Sequence, residues 1–210
     1  MVSDYDAIQN VKEVKLEALI FDCDGTLIDT MPNHYRSWLI TLEPFGIPFE
    51  EDEFYALGGW STRAIAKRLG ARHEVDLDLD LIAKRKDETY ERYLDDVQLL
   101  EPIAEIARAA RGRTPMAVGT GGTREFCTRV LKKVGILDWF DVIVTADDVQ
   151  HCKPAPDTFL LCAAQLGVLP TDCLVYEDTD PGMEAAYAAG MKAIDVREYL
   201  RRNRQGNRVS

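Results

Sequence analysis

Short apolar runs alternate with helical stretches through the second half of the chain, and this alternation constrains the fold more than any other feature. The apolar runs are Pro115–Gly119, Asp141–Thr145, Cys173–Tyr176 and Ala193–Val196. The helical stretches between them are Arg124–Val134, Pro156–Leu166 and Gly182–Ala189, and a glycine follows each. Glycine in that position is typical of a left-handed helix C-cap. Strands that alternate with helices form right-handed βαβ units, so the sequence predicts an α/β fold with a parallel sheet.

One further strand and one helical segment complete the predicted architecture. Leu16–Phe21 is nearly all apolar, which is typical of a central strand buried on both faces. Residues 32–99 carry helical patterning with charged segments throughout, and Gly58-Gly59 marks a turn between two helices. We therefore expect residues 1–31 and 100–210 to form the α/β domain. Residues 32–99 are expected to form an all-helical module inserted after the first strand.

Composition restricts the classes of partner. The chain has 210 residues and a net charge of −11, from 36 acidic residues against 25 lysines and arginines. Nucleic acids and anionic membranes bind basic surfaces, so neither is expected as a partner, and no protein partner is implied. A small anion stays possible where its pocket is locally positive.

The expected compartment is the cytoplasm. No apolar run approaches the roughly 20 residues of a membrane span, and the N-terminus lacks the apolar core of a secretory signal. The five cysteines form no C-x-x-C pair, so they are expected to be buried, reduced thiols rather than disulfides or zinc ligands.

The segment Asp22-Cys-Asp-Gly-Thr26 carries the strongest chemical signal. Carboxylates at positions i and i+2 after a strand project to the same side, here at the carboxyl end of a buried strand, where α/β proteins bind ligands. Two like charges so close need a cation or a shared proton, and Mg2+ prefers such oxygen ligands. A calcium loop of the EF-hand type is excluded because Leu27 stands where that loop requires glycine.

Three later features each follow another predicted strand. Thr120 offers a hydroxyl, and the backbone of Gly121 beyond it opens a helix, an arrangement that favours phosphate oxygens. Lys153 supplies a cation, and Glu177-Asp178 supplies further carboxylates. Acids, hydroxyl and lysine at strand ends together predict a metal-assisted phosphate site.

These motifs identify a family. Asp22–Thr26, Thr120, Lys153–Asp157 and Glu177-Asp178 followed by Gly182 resemble, in order and spacing, those of the haloacid dehalogenase superfamily of phosphohydrolases, in its β-phosphoglucomutase-like branch. The resemblance covers about residues 16–197. It implies a Rossmann-like core with a parallel sheet, and it implies that the helical segment 32–99 is the cap domain of that family.

The resemblance also implies roles for the core residues. Asp22 resembles the nucleophile that forms an aspartyl-phosphate, and Asp24 resembles the general acid and base. Mg2+ would be held by Asp22, the backbone carbonyl of Asp24, Asp178 and Glu177, the last directly or through water.

A second group of core residues would bind the phosphoryl group itself. The Thr120 hydroxyl and the Gly121 amide would bind its oxygens. Lys153 would balance the charge that Asp22 and the phosphoryl group share.

Four cap positions and one cap glycine correspond to substrate-binding positions of the family: His34, Gly59, Trp60, Arg63 and Lys86. A structural role for His34 stays open. So does an exposed position for Lys86. Arg63 stands one place after the arginine of the mutases, so it either substitutes for that arginine or simply lies on the next helix.

Within the branch, the segments Met116–Gly121 and Lys153–Cys162 resemble those of bacterial sugar phosphatases that act on fructose 1-phosphate and 6-phosphogluconate. Another small phosphate ester stays open as the substrate. The alternative is a β-phosphoglucomutase, which must hold a second phosphate. Mutases carry a Lys-Asn pair where this chain has Thr123-Arg124, which weakens that alternative unless Arg124 binds the distal anion. A dinucleotide-binding protein is disfavoured because Arg124 stands where the third glycine of G-x-G-x-x-G belongs. An inactive scaffold is disfavoured because all the catalytic acids are retained.

Overall fold

The structure is a computed structural model that describes residues 16–58 and 60–200. Contacts divide the chain into two compact units, one of residues up to Ile28 and from Leu99, and the other of Asp29–Gln98. In the part of the chain that the structure describes, no helix is both long and apolar enough to cross a membrane.

The first unit contains a five-stranded parallel sheet. Its strands are β1 (Ala18–Phe21), β2 (Met116–Gly119), β3 (Val142–Val144), β4 (Cys173–Glu177) and β5 (Lys192–Asp195). Their spatial order is β3-β2-β1-β4-β5, and every neighbouring pair is parallel. β1 is therefore central and fully buried, as its apolar sequence predicts. The predicted α/β fold with a parallel sheet is confirmed.

Helices connect these strands. They are α5 (Glu101–Ala110), α6 (Arg124–Lys133), α7 (Asp157–Leu166) and α8 (Asp180–Ala188). Gly135, Gly167 and Gly190 follow the last three with positive φ angles, as predicted for helix C-caps. Apolar residues of the sheet, α7 and α8 form one core cluster in which Phe159 and Cys162 are fully buried.

The second unit is helical. It consists of α1 (Met31–Leu42), α2 (Glu51–Ala56), α3 (Thr62–His73) and α4 (Leu79–Glu91). Its own core packs around Trp38, Leu42, Phe54, Leu69 and Ile82. The predicted break between two helices lies between Ala56 and Thr62, although Gly59 itself is outside the described residues.

The cysteines are free, and four of the five are buried. Cys23, between the two acids, points into the core as expected. The prediction of buried thiols is wrong for Cys152, which is exposed because it lies in the loop that precedes Lys153 rather than in a strand or helix.

Candidate active site

The chain turns sharply where β1 ends. The Asp22 amide still bonds to the Tyr176 carbonyl of β4, and the next carbonyl, of Cys23, accepts from the amides of both Leu27 and Ile28. Gly25 has a φ of +83°, a conformation that favours glycine. The turn leaves Asp22 buried and Asp24 half-buried at the carboxyl edge of the sheet.

Gly25 also makes room for Asp178. A Cβ atom on Gly25 would lie 2.3 Å from Oδ2 of Asp178. The Thr26 hydroxyl donates to Oδ1 of the same carboxylate at 2.9 Å. The turn after β1 therefore fixes a carboxylate that follows β4. The motif alone assigns no role to Thr26, although a hydroxyl directly after Asp-x-Asp-Gly is a signal that could have indicated one.

Lys153 joins two of the carboxylates. Its ammonium lies 2.6 Å from Oδ1 of Asp22 and 2.7 Å from Oε2 of Glu177, and its side chain is 7% exposed. Burial alone lowers the pKa of Lys153, but the charges of Asp22 and Glu177 outweigh that effect and raise it. The lysine is therefore a permanent cation, and its ammonium also lies 4.7 Å from the centre of the Phe159 ring.

Glu177 is held rigidly at the end of β4. Its Oε1 accepts hydrogen bonds from the amides of Asp178 and Thr179 and from the Thr179 hydroxyl, at 2.8–3.0 Å. A Cβ atom on Gly182 would lie 2.0 Å from the carboxyl carbon of Glu177, so α8 packs this close only because position 182 is glycine. Thr179, which the sequence analysis missed, also caps α8 by accepting from the Gly182 amide.

Three carboxylates form a cluster that fits a divalent metal ion. Asp22, Glu177 and Asp178 each offer one oxygen, and these oxygens lie within 4.8 Å of one another. Removal from water, together with the charge of Glu177, raises the pKa of Asp22 well above its usual range. The same two causes raise the pKa of Asp178 to about 7, against the lowering effects of Thr26 and Lys153. Mg2+ prefers oxygen ligands, and a cation would relieve the repulsion between these carboxylates.

The loop after β2 presents the predicted phosphate-binding groups. The Thr120 amide bonds to the Val144 carbonyl, and the Thr120 hydroxyl accepts from the Gly122 amide at 3.0 Å. Gly121 is exposed, with open space around its Cα atom. A Cβ atom on Gly122 would lie 3.6 Å from Oδ2 of Asp24, so this loop and the second acid of the motif are neighbours.

Arg124, the first residue of α6, is held by groups outside that loop. Its guanidinium donates to Oδ2 of Asp148 at 2.5 Å and to the Ile143 carbonyl at 3.0 Å. Arg124, the candidate for binding a distal anion, is thus paired with a carboxylate.

The second unit brings His34 and Lys86 together. Nζ of Lys86 lies 2.8 Å from Nδ1 of His34, and the His34 ring stacks on Tyr90 with centroids 4.0 Å apart. Lys86 is buried, so the alternative of an exposed position is wrong.

The other predicted residues of this unit are more exposed. Arg63 lies on α3, as one of the two alternatives stated, and pairs with Asp80 at 2.8 Å. Trp60 is exposed, with the Arg68 guanidinium 5.8 Å from its ring centre. Gly59 falls outside the described residues.

Comparison with known proteins matches residues 16–190 to the haloacid dehalogenase-like hydrolases. The chain is 44% identical over 180 residues to fructose-1-phosphate phosphatase YqaB of Escherichia coli (strain K12), covering 85% of this chain and 95% of that protein. It is 30% identical to a phosphorylated carbohydrates phosphatase of Thermotoga maritima, covering 85% of this chain and 84% of that one.

Solved structures give the same result for the fold. The crystal structure of a β-phosphoglucomutase from Clostridium difficile superposes with a TM-score of 0.76 at 26% identity. The superposition covers 86% of this chain and 84% of that one. Both a phosphatase and a mutase are therefore among the relatives.

Proposed function

The chain belongs to the haloacid dehalogenase-like hydrolases and is a phosphatase, and we propose that it hydrolyses small sugar phosphates, fructose 1-phosphate and 6-phosphogluconate, with Mg2+ as cofactor and an aspartyl-phosphate as intermediate. The observation that carries the proposal is the contact of Lys153 with both Asp22 and Glu177, in a cluster that also holds Asp178. A buried lysine that donates to one oxygen of Asp22 orients that carboxylate and opposes the rise in its pKa caused by burial and Glu177, which favours the ionised form that a nucleophile requires.

Asp22 and Asp24 divide the chemistry. A carboxylate oxygen of Asp22 attacks phosphorus, and the bond from phosphorus to the sugar oxygen breaks. Asp24 donates its proton to that sugar oxygen, which leaves as the free sugar. The Asp24 carboxylate then takes a proton from a water molecule, whose oxygen attacks phosphorus and releases phosphate from Asp22.

The metal would be held by Asp22, Asp178, the Asp24 carbonyl and, directly or through water, Glu177; when bound, it neutralises and orients the phosphoryl group. Glu177 would also hold Lys153 in place. Its Oε1 accepts hydrogen bonds from three donors of the Asp178–Thr179 segment, so Oε2, which accepts from Lys153, is the oxygen available to the metal or to its water.

The phosphoryl oxygens would be bound by the Thr120 hydroxyl, the Gly121 amide and Lys153. Groups fixed in this way before the reaction stabilise developing charge without reorganising. His34, Gly59, Trp60, Arg63 and Lys86 are proposed to bind and select the sugar part of the substrate, as cap residues of this family would.

The pairing of two arginines favours a phosphatase over a mutase. A mutase has to hold a second phosphate while its bisphosphate intermediate turns over. Arg124 is paired with Asp148, and Arg63 is paired with Asp80 at the surface. The 44% identity to a fructose-1-phosphate phosphatase supports the same choice. The mutase stays the second candidate because of the structural similarity to β-phosphoglucomutase.

Product analysis tests the proposal. With Mg2+ present, fructose 1-phosphate and 6-phosphogluconate are expected to yield free phosphate, and the Asp22→Asn variant is expected to yield none. Asp138→Asn, at an exposed aspartate in the same unit, should keep full activity. Glucose 6-phosphate formed from β-glucose 1-phosphate without release of phosphate would instead identify a mutase.

A further inference from the structure

Two loops at the carboxyl edge of the sheet are joined by hydrogen bonds in addition to those that pair their strands. Thr120–Thr123 follows β2, and Thr145–Asp148 follows the neighbouring strand β3. The Ala146 amide donates to the Gly122 carbonyl at 3.0 Å, and the Arg124 amide donates to Oδ2 of Asp147 at 2.8 Å. The second loop thus bonds to the backbone of the first loop at Gly122 and to the first residue of the helix that follows it, Arg124.

Asp148 is the centre of this connection. Its Oδ2 accepts from the Thr145 amide at 2.7 Å, the Thr145 hydroxyl at 2.8 Å and the Arg124 guanidinium at 2.5 Å. Partial burial alone raises the pKa of Asp148, but these hydrogen bonds outweigh burial and lower it. Asp148 is therefore a stable carboxylate at neutral pH.

Arg124 connects the centre to the start of the α6 helix. Its amide and its guanidinium bond to Asp147 and Asp148 respectively, and the guanidinium also reaches the Ile143 carbonyl within β3. Since Arg124 directly follows Thr123, these bonds fix where the loop Thr120–Thr123 ends and α6 begins. An exposed surface ion pair would link side chains only. Here three bonds of Arg124 and the two aspartates involve backbone groups, namely the Arg124 amide, the Ile143 carbonyl and the Thr145 amide.

We propose that Asp148 and Arg124 are positioning residues that orient the Thr120 hydroxyl and the Gly121 amide for binding of the phosphoryl group. The inference rests on the proposed function, because that function assigns these two groups to phosphate. Neither residue contacts substrate in this account. They act by holding a loop whose glycines would otherwise let its amides reorient.

Inorganic phosphate is the probe that tests the inference. Arg124→Met keeps the aliphatic stem, Asp148→Asn keeps the shape, and Thr145→Val keeps the volume of a fully buried side chain. Each variant is expected to weaken phosphate binding, measured by calorimetry with Mg2+ present, about tenfold, since a hydrogen bond to a charged group contributes roughly that much. The kcat/KM for sugar phosphates is expected to fall in parallel, and Thr145→Ser is expected to restore both values.

Matched controls exist in the same unit. Arg111 and Asp138 form an ion pair at the same 2.5 Å distance, with a similarly exposed arginine. Arg111→Met and Asp138→Asn should leave phosphate affinity within about twofold of the wild type. A double variant of Arg124 and Asp148 should lose little more than either single variant, because the two residues act as one unit.

The outcomes separate the two claims. Wild-type protein that binds phosphate but hydrolyses no sugar phosphate would refute the proposed substrates. The phosphate affinities of the variants would then decide the inference about Asp148 and Arg124. Loss of thermal stability in the Arg124 and Asp148 variants with unchanged phosphate affinity would refute the inference, because the residues would then be structural only. Wild-type protein that binds no phosphate would refute both.

Discussion

Lys153 decides how the charges of the site balance. Its ammonium contacts two carboxylates, Asp22 and Glu177, while Asp178 lies beside them with a raised pKa. Removing one partner of a buried ion pair leaves the others uncompensated. The lysine thus favours the charged form of the nucleophile and compensates the negative charge of the neighbouring buried carboxylates.

Replacing Lys153 by methionine is expected to lower kcat/KM by about 100- to 1000-fold, the usual effect of removing one preorganised stabilising group. It should also destabilise the metal-free protein by about 3 kcal/mol, since a buried pair is broken. Steady-state kinetics and denaturant unfolding measure the two effects. Lys132→Met, at an exposed position on α6, is the control and should change neither. Near wild-type activity in Lys153→Met would contradict the assigned role.

The raised pKa of Asp178 predicts how magnesium binding depends on pH. Since its folded pKa is about 7 without metal, the carboxyl group holds a proton below that pH, and Mg2+ has to displace it. Affinity for Mg2+ should therefore fall about tenfold per pH unit as the pH decreases below 7. Without metal, the contribution of Asp178 to the free energy of unfolding falls as the pH rises from the ordinary pKa of an aspartate to about 7, because the folded protein holds the proton in that range and the unfolded chain does not.

Calorimetric titration of Mg2+ at several pH values measures this dependence, and the heat in buffers of different ionisation enthalpy counts the protons released. An Asp178→Asn variant, which has no proton to release at this position, should bind Mg2+ more weakly and with a flatter pH profile. An affinity for Mg2+ that does not change with pH in the wild type would contradict the prediction.

At the scale of secondary-structure elements, local signals predicted most of the α/β unit. Apolar runs gave the five strands, and glycines marked the helix ends, because both signals arise within a few residues of chain. The prediction started one helix two residues late: α8 begins at Asp180 rather than Gly182, because Thr179 caps it and Pro181 fits its first turn. Strand order depends on long-range pairing and has no such local signal.

The contacts that build the site were also beyond sequence reasoning. Thr26 and Asp178 are 152 residues apart in the chain, and Arg124 and Asp148 are 24 apart. Motif order placed Asp22, Thr120 and Glu177 at strand ends, but the prediction that Lys153 directly follows a strand is wrong, because it lies in a loop well beyond Val144, the last residue of β3. Motif order also did not reveal that Asp148 pairs with Arg124. Such pairing depends on which loops the sheet makes neighbours, here those after β2 and β3.

At the start of α8, replacing Gly182 by alanine is expected to lower the stability of the protein, which is the opposite of the usual effect of this substitution. Glycine to alanine within a helix normally stabilises it by about 0.5–1 kcal/mol. At Gly182 the added methyl group would meet the Glu177 carboxyl group at 2.0 Å, so Gly182→Ala is expected to destabilise the protein and to lower activity strongly. Thermal unfolding with and without Mg2+ measures the first effect. Glu184→Ala, at an exposed position of the same helix, is the control, and a Gly182→Ala variant more stable than the wild type would refute the packing argument.

At the scale of the whole molecule, the two units are proposed to have separate tasks. All the groups assigned to phosphoryl transfer belong to the α/β unit, whereas the residues proposed to select the sugar belong to the helical unit. The overall charge of −11 agrees with a small substrate whose phosphate is bound by a few local donors rather than by a basic surface.

A division of this kind predicts that substitutions in the helical unit change selectivity. Arg63→Met is expected to change the ratio of kcat/KM values for fructose 1-phosphate and 6-phosphogluconate while sparing hydrolysis of a simple aryl phosphate. Asp80→Asn leaves Arg63 in place but removes its exposed partner, so it separates the side chain from its ion pair. Equal effects of Arg63→Met on all three substrates would argue against a selective role.

The central claim is that Asp22 becomes phosphorylated during turnover, and a trapping experiment tests it most directly. The Asp24→Asn variant, which lacks the base for the second step, is mixed with Mg2+ and an aryl phosphate, whose leaving group needs no proton from Asp24. The mixture is then quenched in acid and digested for mass spectrometry. The account predicts one added phosphoryl group on the peptide that contains Asp22, released by hydroxylamine and absent when Asp22 is also replaced by asparagine. Turnover in the wild type with a phosphoryl group trapped on another residue, or trapped equally in the double variant, would contradict it.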